Sequence, residues 1–548
     1  MNKTKRGSLA TMLLLSLSAC GGSSGEGTSP PPPPPPPITT SEAFQFLNQS
    51  TFGAMQGDIQ DVINLRFESW IDQEIAKPTS LQLPHLLSLP RPEPVGMLHR
   101  DRVNIWFRNS INGSDQLRQR VAFALSEILV VSQNGALFDA PYSVADYYDK
   151  LALHAFGNFR DLLGVVTLHP AMGVYLSMLG NEKPNSTLNI RPDENYAREL
   201  MQLFTIGLVE LNLDGTAKTD GFGRPIPTYD QTIIEAFAHV FTGWNYAGET
   251  SFHQAVRNDN NQTQPMQLYP AFHDNAQKSL LNGMIVPASQ TGGDDLRLAL
   301  DNIFNHPNVG PFVAIRLIQR LVTSNPSPGY VSRVASIFNN NGFGVRGDLG
   351  AVVKAILLDD EARPSIHTES DGKLKEPLLR LTQLWRAYGA ASQIDDFSRE
   401  SYSYILGQGP LQASHVFNFF SPFFAPAGEI RNLGLVAPEL QIATEYQNTL
   451  VTNSFFSFTF YWNSAWTDPE EDAVLIDISE EIDIAGETDL MIDMVVGKLL
   501  GGSISDTLRA EVVNMVELSQ TASPDNPALW VSEAIYFVVT SPEFAYQR

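Results

Sequence analysis

The sequence predicts a mainly α-helical protein, a single large multi-helix domain that carries a small β-hairpin insertion. Apolar residues recur three and four positions apart over long stretches, the spacing of one face of an α-helix. Alternating strand patterns are few and are clearest at residues 208–230, where Asp214-Gly215 predicts a hairpin turn. With 548 residues, 43% of them hydrophobic, the chain can bury a sizeable core.

The predicted helices begin and end at recognisable residues. Ser41 is a candidate N-cap for the first helix, which Gly53 would end, and the second runs from Asp58 to a stop before Pro78. Ser114 is a candidate N-cap for a third helix. The same apolar spacing predicts further helices within residues 310–326, 349–364, 376–390 and 527–548.

The N-terminus has the pattern of a bacterial lipoprotein signal. A basic start is followed by a short apolar run and by "LSAC" at residues 17–20, which resembles a lipobox. We expect a signal peptide at residues 1–19 and a lipid on Cys20, the only cysteine; the alternative is a secretory signal with an incidental cysteine. Residues 20–40 would be the lipidated cysteine and a Gly/Ser/Pro-rich linker, and residues 41–548 the helical domain.

Composition excludes one broad class of function. The chain has 36 basic and 60 acidic residues, a net charge of −24, so it lacks the excess of Lys and Arg that general nucleic-acid binding requires. "GFGVRG" at residues 342–347 matches a dinucleotide-binding pattern but follows a predicted helix rather than a strand. The sequence therefore predicts no nucleic-acid partner and leaves the cofactor unknown.

The stretch "RPDENYARELMQLFTIGL" at residues 191–208 concentrates charge at a predicted helix start. Glu194 and Arg198 are an i,i+4 pair, while Asn195 and Glu199 lie on a neighbouring strip of the helix. Three interpretations stay open: a solvated face with a weak salt bridge, a buried network that ties helices together, or one wall of a pocket.

A second group of candidates lies in "FHDNAQK". His273 and Asp274 could act as acid and base or as metal ligands, and Lys278 could bind an anion or complete a pocket with the charged helix. The alternative is a loop held by side-chain hydrogen bonds to the backbone. In "FTGW", Trp244 is either a stacking platform for a sugar or a core residue.

Several segments together resemble the bacterial family known as domain of unknown function 1800. They include "LRQRVAFALSEILVVS" at 117–132, "ENYARELMQLFTIGL" at 194–208 and "FHDNAQKSLLNG" at 272–283. The resemblance implies an exported bacterial protein, and a partner from a neighbouring gene family with a phosphatase- or sulfatase-like appearance. Glu235 and His239 have the i,i+4 spacing of two metal ligands on a helix. The resemblance implies that Arg stands at position 239 more often than His, so we expect no metal site shared by the family there, and the metal stays unknown.

Three functions follow as expectations. The first is an uncharacterised cell-envelope lipoprotein, held at the outer membrane by its lipid alone, that binds or assembles surface components with a co-encoded exported partner. The second is an enzyme acting on an extracellular polymer such as a polysaccharide, with Glu194 or Glu199 and His273 as catalytic groups and Arg198 and Lys278 holding an anion. The third is a carbohydrate-binding module that uses Trp244.

Overall fold

Helices dominate the fold, and strands are confined to short antiparallel ladders. The computed structural model describes residues 36–364, 368, 370–398, 402–461, 471 and 473–547. The predicted signal peptide, Cys20 and most of the linker lie outside these described residues. Within them the α-helices are α1 (Thr40–Ser50), α2 (Gln56–Ala76), α3 (Leu83–Ser88), α4 (Leu98–Asn112), α5 (Gln116–Ser126), α6 (Pro141–Leu153), α7 (Phe159–Leu168), α8 (Pro170–Tyr175), α9 (Asn195–Glu199), α10 (Gln231–Val240), α11 (Gly292–Phe304), α12 (Val309–Leu321), α13 (Pro328–Asn339), α14 (Leu349–Leu358), α15 (Pro377–Ala387), α16 (Tyr402–Ile405), α17 (Glu429–Asn432), α18 (Glu445–Phe456), α19 (Ser479–Asp483), α20 (Thr488–Leu500), α21 (Asp506–Ala522), α22 (Pro527–Val539) and α23 (Pro542–Ala545).

Each strand is two residues long and pairs with one other strand. They are β1 (Trp244–Asn245), β2 (Gln267–Leu268), β3 (Lys278–Ser279), β4 (Ile285–Val286), β5 (Lys373–Leu374), β6 (Ala391–Ser392), β7 (Val474–Leu475) and β8 (Tyr546–Gln547). The antiparallel pairs are β1–β2, β3–β4, β5–β8 and β6–β7. The mainly α fold class predicted from the sequence is confirmed.

Two helix starts differ from the predicted caps. Thr39, not Ser41, is the N-cap of α1, because Glu42 stands three residues after it and the two form a reciprocal capping box. Asp115, not Ser114, precedes α5, and its carboxylate accepts hydrogen bonds from the backbone N–H and the hydroxyl of Ser80. The predicted positions are one or two residues away from the observed ones.

The predicted β-hairpin insertion at residues 208–230 is a small meander rather than a regular sheet. Single bridges join Val209 to Pro227, Leu211 to Ala217 and Thr219 to Pro225. The first turn uses Gly215 at φ +80°, as Asp214-Gly215 predicts, and Asp214 accepts from the Thr216 N–H at 3.0 Å.

Asn308 fastens this meander to the helical body. Its buried side chain accepts from the Leu211 N–H at 2.9 Å and donates to the carbonyls of Ile206 and Val209, both at 2.8 Å.

The core is one continuous apolar cluster through which α5 and α12 run. Every residue of α5 is buried, as is every residue of α12 except Ile315, so these helices are surrounded on all sides. Residues Ile38–Arg548 form one compact unit. Each helix of the described part is too short or too polar to cross a membrane.

Candidate functional site

The charged stretch forms a short helix that changes its hydrogen-bonding pattern. Helix α9 begins at Asn195, because the Asp193 carboxylate accepts from the Asn195 N–H at 2.8 Å. The chain continues as a π-helical turn, Leu200–Thr205, and reverses at Gly207 with φ +72°. π-Helical turns inside helices often occur at functional sites.

Glu194 and Arg198 lie on the surface. Arg198 donates to the Glu194 carboxylate at 2.8 Å, and Gln231 of α10 donates to the same oxygen at 2.9 Å. The side chains of Glu194 and Arg198 are 31% and 40% exposed, so their predicted i,i+4 pair exists as a solvated contact. Asn195 is half-buried beside them.

Glu199 differs from its neighbours because it is buried without a partner. Only 6% of the residue is exposed, and no described group hydrogen-bonds to its Oε2. The buried hydroxyl of Tyr229 likewise has no hydrogen-bond partner among the described residues. Burial raises the pKa of Glu199, partly opposed by Arg198, and burial together with the nearby Glu199 charge raises the pKa of Tyr229 to about 12.

The second predicted group is a buried ionic cluster around Asp295 of α11. Lys278 donates to Asp295 Oδ2 at 2.8 Å and to the carbonyls of Asp274 and Ala276 at 2.5 and 2.9 Å. His273 places Nε2 at 3.2 Å from Asp295 Oδ2 and Nδ1 at 3.0 Å from the Thr242 carbonyl. Lys278, His273 and Asp295 thus have nearly all their polar atoms bonded within the fold.

Asp274 pairs with a residue of α10 instead. Its carboxylate contacts His239 Nδ1 and accepts from the Ala276 N–H at 2.9 Å, while its own N–H donates to the Thr242 hydroxyl at 2.9 Å. The hydrogen bond from His239 is the main reason that the pKa of Asp274 falls to about 2.

The described contacts place these two groups in separate hydrogen-bonded clusters, and the single pocket that the sequence offered as one alternative stays a prediction. Gln231, which contacts Glu194, and His239, which contacts Asp274, stand eight residues apart on α10, a rise of about 12 Å. Among the described residues, no hydrogen bond or ion pair joins Glu194, Arg198 or Glu199 to His273, Asp274 or Lys278. The length of α10 therefore keeps them in separate clusters.

Trp244 lies in the core. It is 6% exposed and pairs with Leu268 across β1 and β2. Gly243, at φ +84°, brings the chain against the backbone of His273, where a Cβ atom would come within 2.8 Å of the His273 nitrogen. The Trp244 ring is part of the main apolar core, and the close approach at Gly243 packs the adjoining backbone against the "FHDNAQK" loop.

A third buried cluster, which no local sequence pattern predicted, lies where α5, α12 and α15 meet. Lys373 lies 3.4 Å from Glu376 and 3.0 Å from Glu439, and Arg320 lies 3.6 Å from Glu127. Burial raises the pKa of Glu127 to about 8. These residues come from distant parts of the chain. The only local feature that could have pointed to the cluster is the charged "KLKEP" at residues 373–377, directly before a buried helix.

One cavity of the described part is lined by residues outside these clusters. A cavity of about 300 Å³ is lined by residues that include Thr323, Asn325, Ser327 and Glu361, and none of the predicted site residues lines it. No three His, Cys, Asp or Glu side chains of the described part come together as a metal-ligand set.

The fold and these clusters define a mainly α-helical protein with buried ionic clusters. A family model described as "Protein of unknown function (DUF1800)" matches residues 45–546, nearly the whole chain. The protein belongs to the DUF1800 family. Comparison with curated proteins finds no match, and neither does comparison with solved structures.

Proposed function

We propose that this protein is a cell-envelope lipoprotein with a binding or assembly role, anchored through Cys20. The observation that carries the proposal is the extensive hydrogen bonding of His273, Asp274, Lys278 and Asp295 within the fold, which uses these groups to hold elements together. Side chains engaged in this way have little freedom to bind a substrate. The exposed surface of the helical body is then the part available for a partner.

The location rests on the N-terminal pattern. A basic start, a short apolar run and "LSAC" favour cleavage before Cys20, and Gly21 after it favours transport to the outer membrane. The proline run at residues 30–37 favours, by its sequence, a stiff spacer between the lipid and the helical body. The lipid is then the membrane contact.

A Cys20→Ser variant tests the anchor. We expect wild-type protein in the detergent-soluble membrane fraction, with a diacylglycerol mass on its N-terminal cysteine, and the variant in the aqueous fraction. Recovery of unmodified wild-type protein from the aqueous fraction would contradict the anchor.

The partner is proposed to be an exported phosphatase- or sulfatase-like protein encoded beside this one. Mixing the two purified proteins at about 10 μM and measuring mass by light scattering should reveal a complex, since an assembly partner would bind at micromolar concentration or tighter. Two separate peaks at the individual masses would contradict this pairing while leaving the anchor test unaffected.

A second candidate function, an enzyme acting on an extracellular polymer, is supported by Glu199. Glu199 is a buried carboxylate of raised pKa near the Tyr229 hydroxyl, which has no hydrogen-bond partner among the described residues, and these properties suit a general acid. Release of reducing ends from envelope polysaccharides should then fall at least about 100-fold in Glu199→Gln, since general acid catalysis typically contributes that much. Equal activity in Glu199→Gln and wild type would exclude the role. The buried Trp244 gives the carbohydrate-binding alternative no support.

A further inference from the structure

Arg316 of α12 is a buried cation without a counterion. The residue is 9% exposed, and among the described residues its guanidinium makes one hydrogen bond, from Nη1 to the side-chain oxygen of Gln319 at 2.9 Å. No carboxylate of the described residues lies within ion-pair distance. Burial, with the like charge of Arg320 one turn further on, lowers the pKa of Arg316 to about 9, so the group remains charged at neutral pH.

Each of the other buried arginines of the described part has at least one carbonyl or carboxylate partner, although Nη1 of Arg102, Nε of Arg118, and Nε and Nη1 of Arg120 have none there. Arg320 has Glu127 at 3.6 Å, and Arg386 has Asp58 at 2.7 Å. The remaining three donate to backbone carbonyls: Arg102 to Pro410 at 2.9 Å, Arg118 to Ile75 at 2.8 Å and Arg120 to Arg320 at 2.6 Å. Arg316 has neither kind of partner, so the structural role of the others does not account for it.

Two aromatic rings enclose the Arg316 guanidinium. Its central carbon lies 5.0 Å from the centre of the Phe312 ring and 4.4 Å from that of Phe423. Phe423 is 70% exposed, so this wall of the site faces solvent. Gln319 also donates to the carbonyls of Ser324 and Pro422, which orients its amide oxygen toward Arg316 and holds the chain beside Phe423.

We propose that Arg316 binds an oxyanion, a carboxylate or phosphate group, on a ligand that lies against the exposed ring of Phe423. The planar guanidinium keeps N–H donors free in a fork that matches two oxygens of such a group. The aromatic walls fix the plane of the fork and exclude part of the solvent, which strengthens the contact. A ligand with a flat apolar face next to its acidic group would contact both Arg316 and Phe423.

Three probes test the site on the full mature chain carrying Cys20→Ser: inorganic phosphate, acetate and glucuronate, each titrated at constant ionic strength. Melting temperature and calorimetry follow binding, because a ligand that binds the folded state raises stability with its concentration. We expect saturable binding of at least one probe. A preference for phosphate indicates a phosphate ligand, and a preference for glucuronate over acetate indicates an acidic sugar stacked on Phe423.

Arg316→Met is the decisive variant. It removes a buried charge without a counterion and keeps an unbranched apolar side chain, so we expect a folded protein whose affinity for the probe falls roughly tenfold or more. The control is Arg333→Met, because Arg333 is an exposed arginine already paired with Asp359 and Glu361, and this variant should bind like wild type. Absence of saturable binding by all three probes, or equal binding by Arg316→Met and wild type, would overturn the proposal.

Discussion

Glu199 and Lys278 are both buried charged side chains, but their surroundings differ. Lys278 has three acceptors, whereas the Oε2 atom of Glu199 has no hydrogen-bond partner among the described residues. A buried charge without partners costs free energy, while a bonded one links the elements around it. Glu199 is therefore the residue of the charged helix whose removal is least expected to harm folding.

We expect Glu199→Gln to melt at or above the wild-type temperature at pH 8. The pKa of Glu199 in the folded state lies above its ordinary value of 4.5. The stabilisation that comes from its protonated form is therefore complete below pH 4.5 and is lost as the pH rises through the folded-state pKa. The neutral amide removes this dependence. Thermal melting of both proteins between pH 5 and pH 8 measures it.

The gap between the two melting curves should widen in favour of the variant as pH rises. A variant that melts clearly below wild type at every pH would show that the carboxylate has a bonded, structural role.

The sequence singled out candidate residues such as Glu199 and Lys278, but it did not single out Asp295 and could not give their contacts. The i,i+4 pair of Glu194 and Arg198 was predictable because helix geometry alone brings the two together. The contact of Lys278 with Asp295 depends on how the loop folds onto α11, which no local pattern encodes. Glu127 and Asn418, 291 residues apart, meet only in the finished fold.

Among elements, helices were predictable and the small strand pairs were not. Helix α2 was expected from Asp58 to the residue before Pro78 and spans Gln56–Ala76, because apolar spacing and a proline stop are local signals. Strand β5 pairs with β8, more than 170 residues later, and two residues give no alternating pattern. The meander at 208–230 was predictable because its glycine turn is local.

Asn308→Ala should loosen this meander. The substitution leaves the Leu211 N–H and the carbonyls of Ile206 and Val209 without their partner. Since an unsatisfied buried group costs about 1–3 kcal/mol, we expect a loss of about 3 kcal/mol in the free energy of unfolding. Denaturant unfolding measures the loss.

Hydrogen exchange should also become faster at residues 208–228 than in the core helices. Asn212→Ala is the matched control, because the Asn212 side chain makes an exposed bond within the meander, to Thr216. Equal exchange in Asn308→Ala and wild type would contradict this role of Asn308.

For the whole molecule, buried ionic clusters join parts of the chain that are remote in sequence. The cluster around Asp295 connects α11 with the loop that follows α10. The third buried cluster, which contains Glu127 and Lys373, connects α5, α12 and the start of α15. The helical body is therefore held by bonded charges as well as by its apolar core. This property supports the proposed binding or assembly role.

The free energy of unfolding of Lys278→Met, compared with Lys218→Met, tests this claim most directly. Lys218 pairs with Glu210 at 3.2 Å on the surface, where a salt bridge contributes at most about 1 kcal/mol. Lys278→Met should lose about 3–5 kcal/mol, because it leaves the buried Asp295 carboxylate without its cation. Equal, small losses in the two variants would contradict the claim that the Asp295 cluster holds the fold together.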